Sequence, residues 1–198
     1  MIRTVVTHHL ELNGRDRFNP KACDWAPIEI MKVAVPAPEY CRFLYATVGE
    51  RWYWIDRLQW SYGEWLDRLR KDEIETWVGY RSGSPIGYFE LEMQANDNVE
   101  IVYFGLLPSF VGKGLGGGLL SEAVKRAWAM GAARVWLHTC TLDHPAALTN
   151  YRSRGFEVFK TESKVKSLPD GTSEVRTIAL RSRFYDELAN DSNESAHS

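Results

Sequence analysis

The sequence predicts one α/β (α+β) domain built on a mixed, mainly antiparallel central sheet flanked by helices. Three observations lead there. Apolar-rich segments at residues 75–80, 86–93 and 99–107 are separated only by Ser82-Gly83-Ser84-Pro85 and Asn96-Asp97-Asn98, the turn chemistry of an antiparallel meander. The last of them runs through a glycine-rich stretch into a long helical pattern and another strand, a crossover that sets a helix on a sheet face. The 198 residues suffice for one full core, and a hydrophobic fraction of 44% belongs to an ordinary globular chain.

The elements follow in order. Residues 4–12 alternate like a strand, and 13–27 (NGRDRFNPKACDWAP) read as an irregular loop. Ile28, Ile30, Val33 and Val35 make a short strand that stops at Pro36. Residues 38–48 have helical spacing at Tyr40, Phe43, Leu44 and Val48, and Gly49 ends them. After RWYWIDRLQW, Ser61 and Glu64 form a capping-box pattern ahead of Trp65, Leu66 and Leu69. Beyond the meander, Leu115, Leu119, Leu120, Ala123, Val124, Ala127 and Trp128 line one side of a helix that Gly131 terminates. A strand at 134–139, a helix at 145–154, a strand at 156–160 and a last strand at 174–180 complete the order β-β-α-α-β-β-β-α-β-α-β-β. The domain is expected over residues 1–189, with 1–27 an N-terminal strand and loop, and NDSNESAHS (190–198) a disordered tail.

Composition excludes several classes. A formal net charge of −2 leaves no generic nucleic-acid footprint, and no apolar run reaches the ~18 residues of a membrane span. MIRTVVTHHLEL has no h-region, so a cytoplasmic location is the default expectation. Cys23, Cys41 and Cys140 are odd in number and widely spaced, which argues against a disulfide framework or a structural zinc site. The eight tryptophans exceed what a core of this size needs and are compatible with a homodimer.

VGKGLGGGLL, residues 111–120, packs five glycines and a lysine into a helix start. Gly112, Gly114 and Gly117 satisfy G-x-G-x-x-G, but they follow at least five strands, not the first, and the next strand ends in His138-Thr139-Cys140, not in an acid. Lys113 is followed by Gly114, so the P-loop pattern fails too. A nucleotide-dependent oxidoreductase is thereby disfavoured. What survives is anion binding: glycines ahead of a helix let successive N–H groups converge, the helix dipole adds about half a positive charge, and Lys113 supplies a full one.

VEIVYFGLLPSFVGKGLGGG (99–118) resembles the acetyl-CoA signature of the GNAT (Gcn5-related) N-acetyltransferase superfamily, in which a strand leads into R/Q-x-x-G-x-G/A at a helix start. HPAALTNYRSRGF (144–156) resembles its second landmark, a helix with Ala and Tyr ending in Gly-Phe before a strand. The resemblance spans roughly residues 28–180 and makes the fold GNAT-like. It implies an acetyl-CoA-dependent N-acetyltransferase acting on a primary amine by direct attack in a ternary complex, with no metal. A non-catalytic acyl-CoA-binding or regulatory module on the same fold is the alternative. One position departs: Val111 stands where the family has Arg or Gln. The amides of Gly112, Gly114, Leu115, Gly116 and Gly117 are expected to cradle the pyrophosphate regardless, because that contact runs through main-chain N–H groups.

Acetyl transfer to an amine needs a proton acceptor and a partner for the departing thiolate. By resemblance to the EIVF-type segment of the Gcn5 branch, Glu100 in EIVYFGL is the base, a carboxylate in a poorly solvated cleft. Glu90 and Glu92 are alternatives acting through a water relay, although their shared strand face reads as solvated. Tyr151 is the implied acid. Leu106 and Leu107 are implied to offer main-chain groups to pantetheine and the thioester, and Gly105 fits a bulge that splays their strand from the next. His144 lies at the implied coenzyme-binding strand–helix junction. Asp143 and His144 beside Pro145 read as an N-cap, so the grouping of His138, Cys140, Asp143 and His144 is not taken as a metal site; His8 and His9 alternate across a strand and need no ligand role. Trp52, Tyr53, Trp54 and Trp60 fall where an acceptor wall is expected or, alternatively, are core and interface residues. Arg51 and Arg57 are candidate partners for a substrate carboxylate, although exposed arginines by default read as solvated. The acceptor is a small-molecule amine or a peptide or protein amine, and nothing in the sequence separates these.

Overall fold

The computed structural model describes residues 1–22 and 28–184, so Cys23 and the tail at 190–198 lie outside the described residues. The chain runs β1 (Ile2–Asn13), β2 (Glu29–Lys32), α1 (Pro38–Gly49), α2 (Tyr62–Leu69), β3 (Ile74–Arg81), β4 (Ser84–Gln94), β5 (Asn98–Leu106), α3 (Gly116–Ala129), β6 (Arg134–Cys140), α4 (Ala147–Ser153), β7 (Glu157–Ser167) and α5 (Thr172–Leu180). The described strands form one sheet in the order β2-β3-β4-β5-β6-β1-β7. Only β5 and β6 are parallel, as the crossover through α3 requires. The mixed, mainly antiparallel sheet with flanking helices read from the sequence is the observed architecture.

Helices cover both faces for the same reason that the strands alternate. Phe89 and Leu91 of β4 point into a core shared with Leu119, Val124, Val135, Leu137 and Tyr151, under α3 and α4. Tyr88, on the opposite face of β4, meets Leu44 and Val48 of α1. Pro38 opens α1, whose buried residues Cys41, Leu44, Tyr45 and Val48 recur at helical spacing. The capping box of α2 is complete: the Glu64 amide donates to Ser61 Oγ (3.2 Å) and the Ser61 amide to Glu64 Oε2 (2.7 Å).

Residues 174–180 form α5, not the expected last strand. Val175, Ile178 and Ala179 lie three and four residues apart and pack on Tyr45, Leu58 and Trp65. Gly171 (φ 86) breaks the chain ahead of the helix. Buried Arg42 seals it by donating to the Ala179 carbonyl (2.5 Å) and the Ser182 hydroxyl (2.8 Å). β7 extends to Ser167 because it pairs with β1 along nearly its whole length.

The bulge in β5 also differs from expectation. Glu90 faces Tyr103 while Leu91 faces Ile101, so Val102 is the extra residue. Gly105 stays inside the ladder opposite Tyr88, and its missing Cβ leaves room for Val48 of α1. The parallel register with β6 ends at the pair Glu100–Trp136, and from there β5 and β6 diverge.

The face of β4 carrying Glu90 is buried, not solvated. Glu90 is 2% exposed and takes a bidentate pair from Arg57 at 2.7 and 2.9 Å. Arg68 donates to Glu90 and Glu92, each at 2.7 Å. Arg57 is itself buried, with its guanidinium over Tyr103 (4.5 Å) and Trp60 (4.7 Å). α2 and the segment before it cover this face, which a strand-by-strand reading cannot register.

Candidate active site

Where β5 and β6 part, a cavity of about 760 Å³ opens through the sheet. One wall is the edge of β5 from Glu100 to Leu106, whose main chain has no strand partner on the β6 side beyond Glu100. The other is β6 from Trp136 to Cys140, continued by Asp143, His144 and the start of α4. Glu100, Leu106, Val111, Gly112, Gly114, Gly116, Gly117, His144 and Tyr151 all line it. Leu107, Lys113 and Leu115 do not. The Leu107 amide donates to the Ile86 carbonyl (2.9 Å), the Lys113 ammonium lies over the Phe110 ring (5.3 Å), and Leu115 is fully buried.

The glycine segment shapes one end of the cavity. Gly112 (φ 79) and Gly114 (φ 75) are left-handed and alternate with ordinary conformations, which turns successive N–H groups toward one side. α3 then starts at Gly116 with no side-chain cap, so its first-turn N–H groups lack intrahelical acceptors, and Gly116 and Gly117 line the cavity. A Cβ on Gly117 would stand 2.5 Å from Arg154 Nη1 and 2.7 Å from Lys21 Cδ. Two cationic side chains therefore crowd this helix start. Lys21 is held there because its amide donates to Ser121 Oγ (2.8 Å), in the second turn of α3. The sequence reading saw only an irregular loop around Lys21, and no local signal points to its role.

Glu100 lies at the fork, 9% exposed. Gln94 Nε2 donates to its Oε2 (2.9 Å), and Trp136 Nε1 in turn donates to Gln94 Oε1 (2.9 Å). His138 Nδ1 stands 3.3 Å from the other oxygen, Oε1. That carboxylate raises the His138 pKa above its ordinary value of 6.5, outweighing the opposing effect of burial. His138 was weighed in the sequence only as a metal ligand. His138 lies two strand positions past Trp136, the last β5–β6 pairing partner, so its proximity to Glu100 is visible only once the register is known. Glu90, doubly paired to arginines, is unavailable as a base: burial would push its carboxyl up, but the hydrogen bonds and charges of Arg57 and Arg68 hold it below the usual range.

Tyr151 reaches the cavity from the α4 side, edge-on to Phe104 and Phe156. Burial pushes its phenol well up, so the hydroxyl keeps its proton at neutral pH. Asp143 folds back to accept from Thr139 Oγ1 (2.7 Å) and the Cys140 amide (2.8 Å), while His144 Nδ1 accepts from the Ala146 amide (3.1 Å). Among the described residues no three His, Cys, Asp or Glu side chains converge on one point. Trp52, Tyr53 and Trp54 line the mouth beside Tyr45 and Tyr103, whereas Trp60 packs on Trp65 outside it. No described helix is long and apolar enough to cross a membrane.

A model of the acetyltransferase (GNAT) family matches residues 38–156, more than half of the chain. None of the curated proteins matches the sequence. Among solved structures, a GCN5-related N-acetyltransferase from Kribbella flavida is 18% identical at a TM-score of 0.60, over 86% of this chain and 61% of that one. A GCN5-related N-acetyltransferase from Sphaerobacter thermophilus is 18% identical at 0.58, over 85% and 54%. A functionally unknown conserved protein from Staphylococcus epidermidis is 16% identical at 0.57, over 83% and 62%. At these identities the likeness concerns the fold, and the chain spans about three fifths of the length of these structures.

Proposed function

The chain belongs to the acetyltransferase (GNAT) family, and from that premise we propose that it transfers the acetyl group of acetyl-CoA to an amine by direct attack in a ternary complex. The observation that carries the proposal is the splay of β5 from β6, with an uncapped, glycine-lined helix start at one end and the Glu100 carboxylate at the fork. The cradle suits a pyrophosphate: Gly116 lines it, and a Cβ there would project into the space a ligand needs. Lys21 and Arg154 supply the positive charge that Val111 does not. Acetyl-CoA supplies the thioester carbonyl that an amine attacks.

The chain's own groups do the rest. The unpaired main-chain edge of β5 up to Leu106 binds and aligns the pantetheine arm. Glu100 makes the fork basic and draws the ammonium proton of the acceptor. Tyr151 Oη holds its proton where a thiolate leaves and donates to it. The aromatic mouth of Trp52, Tyr53 and Trp54 receives the acceptor, a small-molecule amine or a peptide or protein amine. Residues 1–189 act as one domain in this reading.

The first test is the melting temperature with acetyl-CoA, CoA, NADP and ATP side by side. A ligand at 100 times its dissociation constant stabilises by about 2.7 kcal/mol, and the shift is expected with the two CoA species. Its absence would sink the proposal, and a shift without thiol release from any amine would mark a binding module instead. Tyr151→Phe is expected to lower kcat on the order of a hundredfold while leaving melting and acetyl-CoA affinity unchanged, because phenylalanine fills the same contacts with Phe104 and Phe156. Steady-state thiol release checks this, and an undiminished kcat removes Tyr151 from the chemistry.

A further inference from the structure

We infer that the atom accepting the acceptor's proton is Nε2 of His138, with Glu100 as the residue that positions it. The inference rests on the acyl-transfer reading above and moves the proton acceptor from the Glu100 carboxylate to a group that the reading does not name. Both oxygens of Glu100 are engaged, Oε2 by Gln94 at 2.9 Å and Oε1 by His138 Nδ1 at 3.3 Å. The Trp136–Gln94 hydrogen bond fixes the amide so that its NH2 faces the carboxylate. The carboxylate, largely buried and already partnered at each oxygen, thus does not stand open to the cavity.

His138 does. Its side chain is 48% exposed and lines the cavity, while that of Glu100 is 12% exposed. A carboxylate beside Nδ1 favours the tautomer with the proton on Nδ1, which leaves Nε2 with a lone pair. The 3.3 Å separation is long for a finished hydrogen bond, as such pairs often are before substrate is bound. In the step itself, one N–H bond of the ammonium breaks and its electron pair stays on nitrogen as the attacking lone pair. A new N–H bond forms at Nε2, and the imidazolium, stabilised by Glu100, later returns the proton to solvent.

The groups facing His138 set its titration. Glu100 on β5 and Asp143 after β6 favour the charged form, and Lys166 on β7 opposes it. His9 on β1 lies over the ring at 6.0 Å, itself held by Glu162 of β7 at 2.8 Å. The net shift is upward from 6.5, toward the pH at which the imidazole must work.

Imidazole nitrogen NMR on the full chain tests the pair without any acceptor. Neutral His138 is expected as the Nδ1–H tautomer, titrating above 6.5, and Glu100→Gln is expected to bring its midpoint down. An Nε2–H tautomer, or a midpoint indifferent to Glu100→Gln, overturns the inference. In the rate arm, thiol release from acetyl-CoA is followed with tyramine, spermidine and glycylglycine as probe amines. His138→Gln is expected to lower kcat at least a hundredfold and to abolish the acidic limb of the pH profile, with acetyl-CoA affinity and melting temperature unchanged. Glu100→Gln is expected to move that limb to lower pH. A His138→Gln protein that keeps kcat within threefold and the limb in place refutes the role of His138. Lack of acetyl-CoA binding by the wild type, or of turnover with every probe, refutes the acyl-transfer reading itself.

Discussion

Glu90→Gln is expected to destabilise the fold by about 3–5 kcal/mol, the cost of leaving a buried charge without its partner. Arg57 has nowhere to take its charge: its side chain is 7% exposed and lies between Trp60 and Tyr103. Arg68, 13% exposed, donates to the same Glu90 oxygen and, although it keeps Glu92, would then face Arg57 across an amide that carries no charge. Glu90→Leu combined with Arg57→Met is expected to recover most of the loss, because an apolar pair of similar volume needs no desolvated charge. Urea unfolding of the single and double variants checks this, and a single-variant loss below about 1 kcal/mol would mean that water reaches the pair. The pH dependence has a definite sign. The Glu90 carboxyl is held below its ordinary value of 4.5, so its contribution is fully present above that value and is lost as pH falls through the lower folded value. Wild-type stability is expected to fall more steeply below pH 4.5 than that of the double variant.

Gly116→Val is expected to leave the fold intact and to weaken acetyl-CoA on the order of a hundredfold, or ~2.8 kcal/mol. A Cβ at this position meets only Asn150 Nδ2 and Leu106 Cδ1, both at 3.8 Å, which is ordinary contact. In the first turn of α3 the loss of glycine costs the helix nothing, and Gly116→Ala is expected to melt at the same temperature or higher. The new side chain is expected to occupy cavity space, because Gly116 and its neighbours Leu106 and Asn150 all line the cavity, and close main-chain approach to a pyrophosphate requires bare backbone. Calorimetric titration with acetyl-CoA separates the two effects. Unchanged affinity with an intact fold would remove this helix start from the coenzyme site.

The elements legible in the sequence were those that local patterning sets. The Ser61–Glu64 capping box, the meander turns and the apolar stripe of α3 carry their own signals within a few residues. Glu100, Tyr151 and the glycines stood out as candidates because a strand feeding a glycine-rich helix start is a contiguous motif, and Glu100, Tyr151, Gly112, Gly114, Gly116 and Gly117 line one cavity. Residues 174–180 failed because Val175, Ile178 and Ala179 suit either a strand or a helix face, and only the core formed by Tyr45, Leu58 and Trp65 decides between them.

Charge and proximity were decided by tertiary structure alone. Whether Glu90 and Arg57 are solvated depends on α2 and the segment before it lying over β4. The meeting of His138 with Glu100 depends on the parallel β5–β6 register, a pairing between segments 38 residues apart (138 − 100) that no local periodicity encodes. Lys21 reaches the α3 start because its amide is bonded to Ser121, 100 positions along the chain. By itself the sequence determined which segments fold and which motif forms the glycine-rich helix start, since both follow from neighbours along the chain. The structure decided which side chains lose their water and which come together, since both depend on what packs across the sheet.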